Sequence, residues 1–219
     1  MKILVIGDSI GIPRLKKNSD EVELFYEEVY PEQLRQYARL RFGGEDILMV
    51  NACRHAQTSV HLLRGAANEV CFLQPDYVVL QLGMTDLWPA AGRSVPPPFP
   101  DLAGKDPWVG PDEYAQNMEC FLRYCFTFPK LQVVVVNIPK CSQAQYVQHG
   151  DAHERTLHYN QLLERFAHHP RVLLVDAYSL FHQLGEAAFG SDGIHPTQEA
   201  SRQLGELIGE AIASRRNHD

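Results

Sequence analysis

Ser9 lies near the start of the chain in the run Gly7-Asp8-Ser9-Ile10-Gly11, and Asp192 and His195 lie near its end in Asp192-Gly193-Ile194-His195. A serine hydroxyl becomes a useful nucleophile when a base takes its proton. Imidazole does this best when a carboxylate fixes its tautomer and supports its charge. An Asp three residues before a His, with a glycine between them, can fold back to make that contact. Each piece also has a plainer use, because Ser and Asp are favoured helix N-caps and either end could simply start a helix. Serine, aspartate and histidine together point to nucleophilic acyl chemistry.

Other residue types suggest other chemistry and fall away on context. His149, Asp151 and His153 could ligate a metal, but beside Gly150 in a polar loop they read as solvated side chains, and no metal or other cofactor is expected. There is no Gly-Lys-Ser/Thr phosphate loop, and no Gly-x-Gly-x-x-Gly follows a strand. The run from Gly7 to Gly11 also fits a Gly-x-Ser-x-Gly elbow, but that elbow needs several strands before it and Ser9 follows the first. Cys53 has no evident base and reads as a buried thiol.

The elements that must position Ser9, Asp192 and His195 are a series of strands and helices. Ile3 to Ile6 is a β-branched apolar run suited to a strand buried on both faces, and Gly7 ends it. Further strands are predicted at 47–50, 77–82, 132–138 and 172–175. Helices are predicted from Pro31 through Ala38, then at 61–73, 114–126, 153–168 and 197–213. Core positions are Leu62, Leu63, Ala66 and Val70 in the second helix and Leu157, Leu162, Leu163 and Phe166 in the fourth. Gly11 to Tyr30 reads as irregular. Strand and helix in alternation predict a five-stranded parallel sheet with helices on both faces, with the polar stretches collected at the carboxyl ends of its strands. No repeat or domain boundary interrupts residues 1–219, which read as one domain. A proline-rich insertion at 88–111 carries seven of the fourteen prolines and leaves the third strand as a candidate flap. Trp88 and Trp108 there could offer flat faces to a sugar ring.

The net charge of −7 argues against nucleic acid or an anionic membrane as partner. The first apolar run is too short for a signal peptide core, and nothing approaches transmembrane length. Five cysteines without a CxxC pair read as reduced thiols, which suits the cytoplasm.

These blocks, in order and spacing, resemble the SGNH, or GDSL, hydrolase superfamily. The resemblance implies a flavodoxin-like three-layer α/β/α sandwich and a serine esterase or acylhydrolase working through an acyl-enzyme. Ser9 would be the nucleophile, His195 the general base and Asp192 its partner. The Ser9 and Ala56 amides, with Thr85, would hold the oxyanion. Two blocks depart from the pattern. Ala56 stands where the family usually has glycine, and Gly83-Met84-Thr85-Asp86 lacks the family's asparagine, a side-chain donor whose loss typically costs about 10²–10³ in rate. Arg54, His55 and Gln57 are alternative donors, and Arg54, His55 and Trp88 are candidate substrate contacts. The expected partner is a small-molecule ester, including one linked to a carbohydrate, with oligomeric state left open. Two alternatives share the site: acyl transfer to a sugar, and carbohydrate binding without catalysis.

Overall fold

Ile3, Leu4, Val5 and Ile6 are all fully buried, and the strand they form, β1 (Lys2–Gly7), is an interior strand of the sheet. The computed structural model describes residues 1–18, 21–25, 28–43, 45–88 and 109–217. After β1 come an antiparallel hairpin, β2 (Arg14–Asn18) and β3 (Glu21–Phe25), helix α1 (Tyr30–Arg41) and strand β4 (Leu48–Asn51). A π-helical turn, Leu62–Ala66, leads into α2 (Ala67–Leu73), then β5 (Tyr77–Gln81) and the short α3 (Met84–Leu87). Helix α4 (Pro111–Cys125), strand β6 (Gln132–Val136) and helices α5 (Gln143–Gln148) and α6 (Ala152–Glu164) follow. Strand β7 (Val172–Val175), α7 (Ala177–Leu184) and α8 (Gln198–Arg216) complete the chain.

The main sheet has five parallel strands in the order β4-β1-β5-β6-β7. Helices α1 and α8 pack together on one face, while α2, α4 and α6 cover the other. Counted within the sheet, the order is 2-1-3-4-5, the flavodoxin-like order predicted from the resemblance. Its direction reverses between β1 and β5, the place where open α/β sheets form a crevice beyond their strand ends. Gly7 and Gln81 pair at that point, so both strands end level.

The five sheet strands fall within two residues of the sequence prediction. The stretch from Gly11 to Tyr30 differs, because it contains the hairpin β2–β3. Leu63 is 48% exposed, against its predicted core position. The π-helical turn adds a residue to the local repeat, keeping Leu62, Ala66 and Val70 inward while Leu63 faces out. Leu157 is also exposed. Helix α6 turns inward Thr156, Tyr159, Asn160 and Leu163. The polar members of that face are satisfied: Thr156 donates to the Ala152 carbonyl, Tyr159 to the Val109 carbonyl, and Asn160 bonds both backbone groups of Ile138. A search for apolar spacing misses such a face. Of the proline-rich insertion, residues 89–108, including Trp108, lie outside the described residues.

Candidate active site

At the end of β1, Asp8 takes an extended backbone and caps a single 3₁₀ turn, Ser9–Gly11, by accepting from the Ile10 amide. The turn projects Ser9 from the sheet and is tied to its neighbour strand. Asn51 Nδ2 donates to the Gly11 carbonyl at 2.8 Å, and the Arg54 amide donates to the Gly7 carbonyl at 3.0 Å.

Asp192 and His195 come from the loop before α8. Gly193 has φ +69°, and a Cβ there would lie 2.2 Å from Ser142 Oγ, so this turn needs glycine both for its backbone and for the approach of the 142–145 segment. Gln145 donates to the Asp192 carbonyl and the Ser142 amide to the Gly193 carbonyl, both at 2.8 Å. Asp192 Oδ1 accepts from the amides of Ile194 and His195, which frees Oδ2 to meet the ring.

Those two segments place Ser9 Oγ 2.8 Å from His195 Nε2 and His195 Nδ1 2.9 Å from Asp192 Oδ2. The three side chains form one hydrogen-bonded chain from hydroxyl to carboxylate. The histidine side chain is 22% exposed and the aspartate 41%, so the pair stays in contact with water.

The other predicted residues are distributed around this chain. Ala56 is half-buried with φ +53°, a left-handed conformation in which glycine would be unstrained. Thr85 is buried in the first turn of α3. Arg54 and His55 are exposed, with the Arg54 guanidinium paired to Glu69 of α2. Trp88 is buried at 3% exposure, its ring tilted against His149 at 4.6 Å, so its faces are covered by protein. Gln57 is buried. Cys53 Sγ packs against the close-set backbones of Gly7 and Gly11, and burial pushes its thiol well above the ordinary range, away from the thiolate a nucleophile needs.

Asp151 is paired with Arg155, His149 packs on Trp88, and His153 bonds the Tyr178 hydroxyl at 2.8 Å, so these three side chains are engaged apart from one another. Among the described residues no cluster of three or more His, Cys, Asp or Glu side chains could hold a metal ion. Among them, too, no helix is long and apolar enough to cross a membrane.

Two carboxylates beneath the site carry roles that the sequence left unassigned. Asp8 and Asp86 are both fully buried, and burial raises each carboxyl from 3.8 to about 7. Asp8 accepts from the Ile10 amide at 3.0 Å and from Gln81 Nε2 at 3.4 Å, linking the Ser9 turn to the end of β5. Asp86 Oδ1 accepts from the Ser59 amide at 2.9 Å and the Ser59 hydroxyl at 2.6 Å, linking α3 to the segment that carries Ala56. Asn117 of α4 donates in turn to Ser59 Oγ at 3.2 Å. Nothing in the sequence marks Asn117 as part of this network, since its partner is 58 residues away.

The chain belongs to the GDSL-like lipase/acylhydrolase family, whose model matches residues 5–203. Its fold is similar to that of a lipase/acylhydrolase from Enterococcus faecalis (TM-score 0.73, 19% identity, 98% of this chain and 96% of that one). It is also similar to LAE5, an α/β hydrolase enzyme from the metagenome of Lake Arreo, Spain (TM-score 0.71, 24% identity, 99% and 94%). A third likeness is to a catalytic mutant of Axe2, an acetylxylan esterase from Geobacillus stearothermophilus (TM-score 0.69, 19% identity, 98% and 93%). At these identities the likeness is one of fold. No curated protein sequence matches the chain.

Proposed function

We propose that the protein is a serine carboxylic ester hydrolase acting on a small-molecule ester, with Ser9 as nucleophile, His195 as general base and then acid, and Asp192 as the partner that orients the imidazole. The observation that carries this reading is the unbroken chain of 2.8 and 2.9 Å contacts from Ser9 Oγ through His195 to Asp192. His195 Nε2 takes the hydroxyl proton as Oγ bonds to the ester carbonyl carbon, and the carbonyl oxygen gains the negative charge. Collapse breaks the bond to the alcohol oxygen, which leaves with the proton from His195. Water repeats the sequence on the acyl-enzyme and releases the acid. The Ser9 and Ala56 amides and the Thr85 hydroxyl are the proposed donors to the oxyanion. A cytoplasmic location is part of this proposal, supported by five unpaired cysteines.

A fluorophosphonate probe followed by intact mass measurement tests the assignment. One adduct, on Ser9, is expected, and both Ser9→Ala and His195→Ala should abolish it. An adduct on another serine, or none on folded protein, overturns the roles given to Ser9 and His195.

A further inference from the structure

Gln57, Thr58 and Ser59 are buried, so the segment after β4 turns inward just past Ala56. The Gln57 amide donates to the Arg54 carbonyl at 3.3 Å, closing a four-residue turn with Ala56 as its third residue. At φ +53° Ala56 stands where a type II turn ordinarily takes glycine. An alanine left to itself there would return to negative φ, because its Cβ crowds the following carbonyl oxygen in the left-handed region. Contacts outside the turn must therefore hold it.

The turn is pinned at both ends. On one side the Arg54 amide donates at 3.0 Å to the carbonyl of Gly7, the last residue of β1 and two residues before Ser9. On the other side a single oxygen, Asp86 Oδ1, accepts from the Ser59 amide at 2.9 Å and from the Ser59 hydroxyl at 2.6 Å. Asn117 donates to that hydroxyl oxygen at 3.2 Å, and the Leu62 amide donates to the Ser59 carbonyl at 3.1 Å. Every polar group of Ser59 is thus bonded. Asp86 directly follows Thr85 in α3, so the residue that pins the turn also belongs to the element that carries the hydroxyl donor.

We propose that Asp86 is a positioning residue for the oxyanion hole: by gripping Ser59 it keeps Ala56 left-handed and sets the Ala56 amide against the Thr85 hydroxyl. The inference rests on the proposed roles of Ser9, Ala56 and Thr85. Asp86 is fully buried and acts through these neighbours, not on the ester. Its effect belongs to the transition state, where charge develops on the carbonyl oxygen, and not to the ground-state complex. An unpinned alanine favours negative φ over the left-handed region by roughly 5–30-fold, and that factor sets the loss of rate.

The test is kcat and kcat/KM on phenyl acetate, with folding checked by circular dichroism. Asp86→Ala should lower both by about 5–30-fold and keep KM within twofold. Asp86→Asn, which keeps the acceptor facing Ser59, should recover most of that loss. Glycine holds positive φ without strain, so Ala56→Gly should raise kcat at least threefold more on the Asp86→Ala background than on wild type. Ser59→Ala deletes only the hydroxyl and does not depend on the Asp86→Ala protein folding. It should lower kcat in the same way and show the same relief by Ala56→Gly. An unchanged kcat in Asp86→Ala or, where that protein does not fold, in Ser59→Ala overturns the inference while Ser9 labelling stands. So does a change confined to KM, or a loss that neither Asp86→Asn nor Ala56→Gly relieves. If wild type neither labels at Ser9 nor hydrolyses phenyl acetate, the hydrolase reading itself falls, and the role of Asp86 with it.

Discussion

Replacing Asp86 by Asn should make the protein's stability less sensitive to pH. Asp86 is fully buried, Oδ1 takes both bonds from Ser59, and among the described residues Oδ2 has no hydrogen-bond partner. Burial raises its carboxyl from 3.8 to about 7. Below about pH 4 the folded and unfolded chains both hold the proton, between about pH 4 and 7 only the folded chain does, and above that neither does. Wild-type folding is therefore favoured by the bound proton at the acid end of that window and loses this advantage as pH rises through it. With about 1.4 kcal/mol per pH unit over roughly three units, full charging of Asp86 costs the fold on the order of 4 kcal/mol. Asn keeps the shape and the acceptor facing Ser59 and cannot ionise. Its buried amide NH₂ costs about 1–3 kcal/mol if unsatisfied, but that cost is constant with pH. Part of the upward shift of Asp8 comes from the charge on Asp86, so the substitution relieves Asp8 in the same direction. Urea unfolding at pH 5, 6, 7 and 8 measures the difference between variant and wild type. That difference should move in favour of Asp86→Asn by about 1.4 kcal/mol per pH unit from pH 5 to 7 and then level off. A difference that stays constant across the series would refute the reasoning.

Ala56→Gly removes an L-residue from φ +53°. Left-handed strain of about 1–2 kcal/mol is set against the extra chain entropy of glycine, about 0.5–1 kcal/mol, so the variant should be more stable by up to about 1 kcal/mol. A thermal melt checks this, and a lower Tm counts against it. Thr85→Val keeps the shape of a buried side chain at the start of α3 and deletes its hydroxyl. If that hydroxyl serves the oxyanion, kcat and kcat/KM should fall together by about tenfold or more, as for an interaction made mainly in the transition state. Unchanged kcat for an aryl acetate removes Thr85 from the role.

The parallel sheet was legible because its strands are buried on both faces and therefore appear as nearly unbroken apolar runs, as in Ile3–Ile6 and Val133–Val136. The hairpin had a weaker signal. Glu21-Val22-Glu23-Leu24-Phe25 begins with period-two alternation, and Lys16 pairs in register with Glu23 across a polar two-residue connection, but no continuous apolar run marks either strand. In α6 the apolar pattern pointed to the wrong positions because three of the inward residues, Thr156, Tyr159 and Asn160, are polar and are satisfied by partners outside their own sequence window or one turn back.

The candidate site divides along the same line. Ser9, Asp192 and His195 could be read from sequence because reactive groups are few and their chemistry restricts them to particular residue types. Their 2.8 and 2.9 Å contacts follow from turns that the glycines at 7 and 193 already marked. The residues that hold the site carry no such mark. Ser59, Asp86 and Asn117 meet only because α3, the middle of α4 and the segment after β4 pack together. Ile12, Val29 and Met49 line a cavity, yet as hydrophobic residues beside a buried sheet they are indistinguishable in sequence from core. Chemistry demands particular atoms and so leaves a pattern along the chain. An apolar wall demands only shape, which many side-chain combinations can supply, so its residues leave no pattern along the chain.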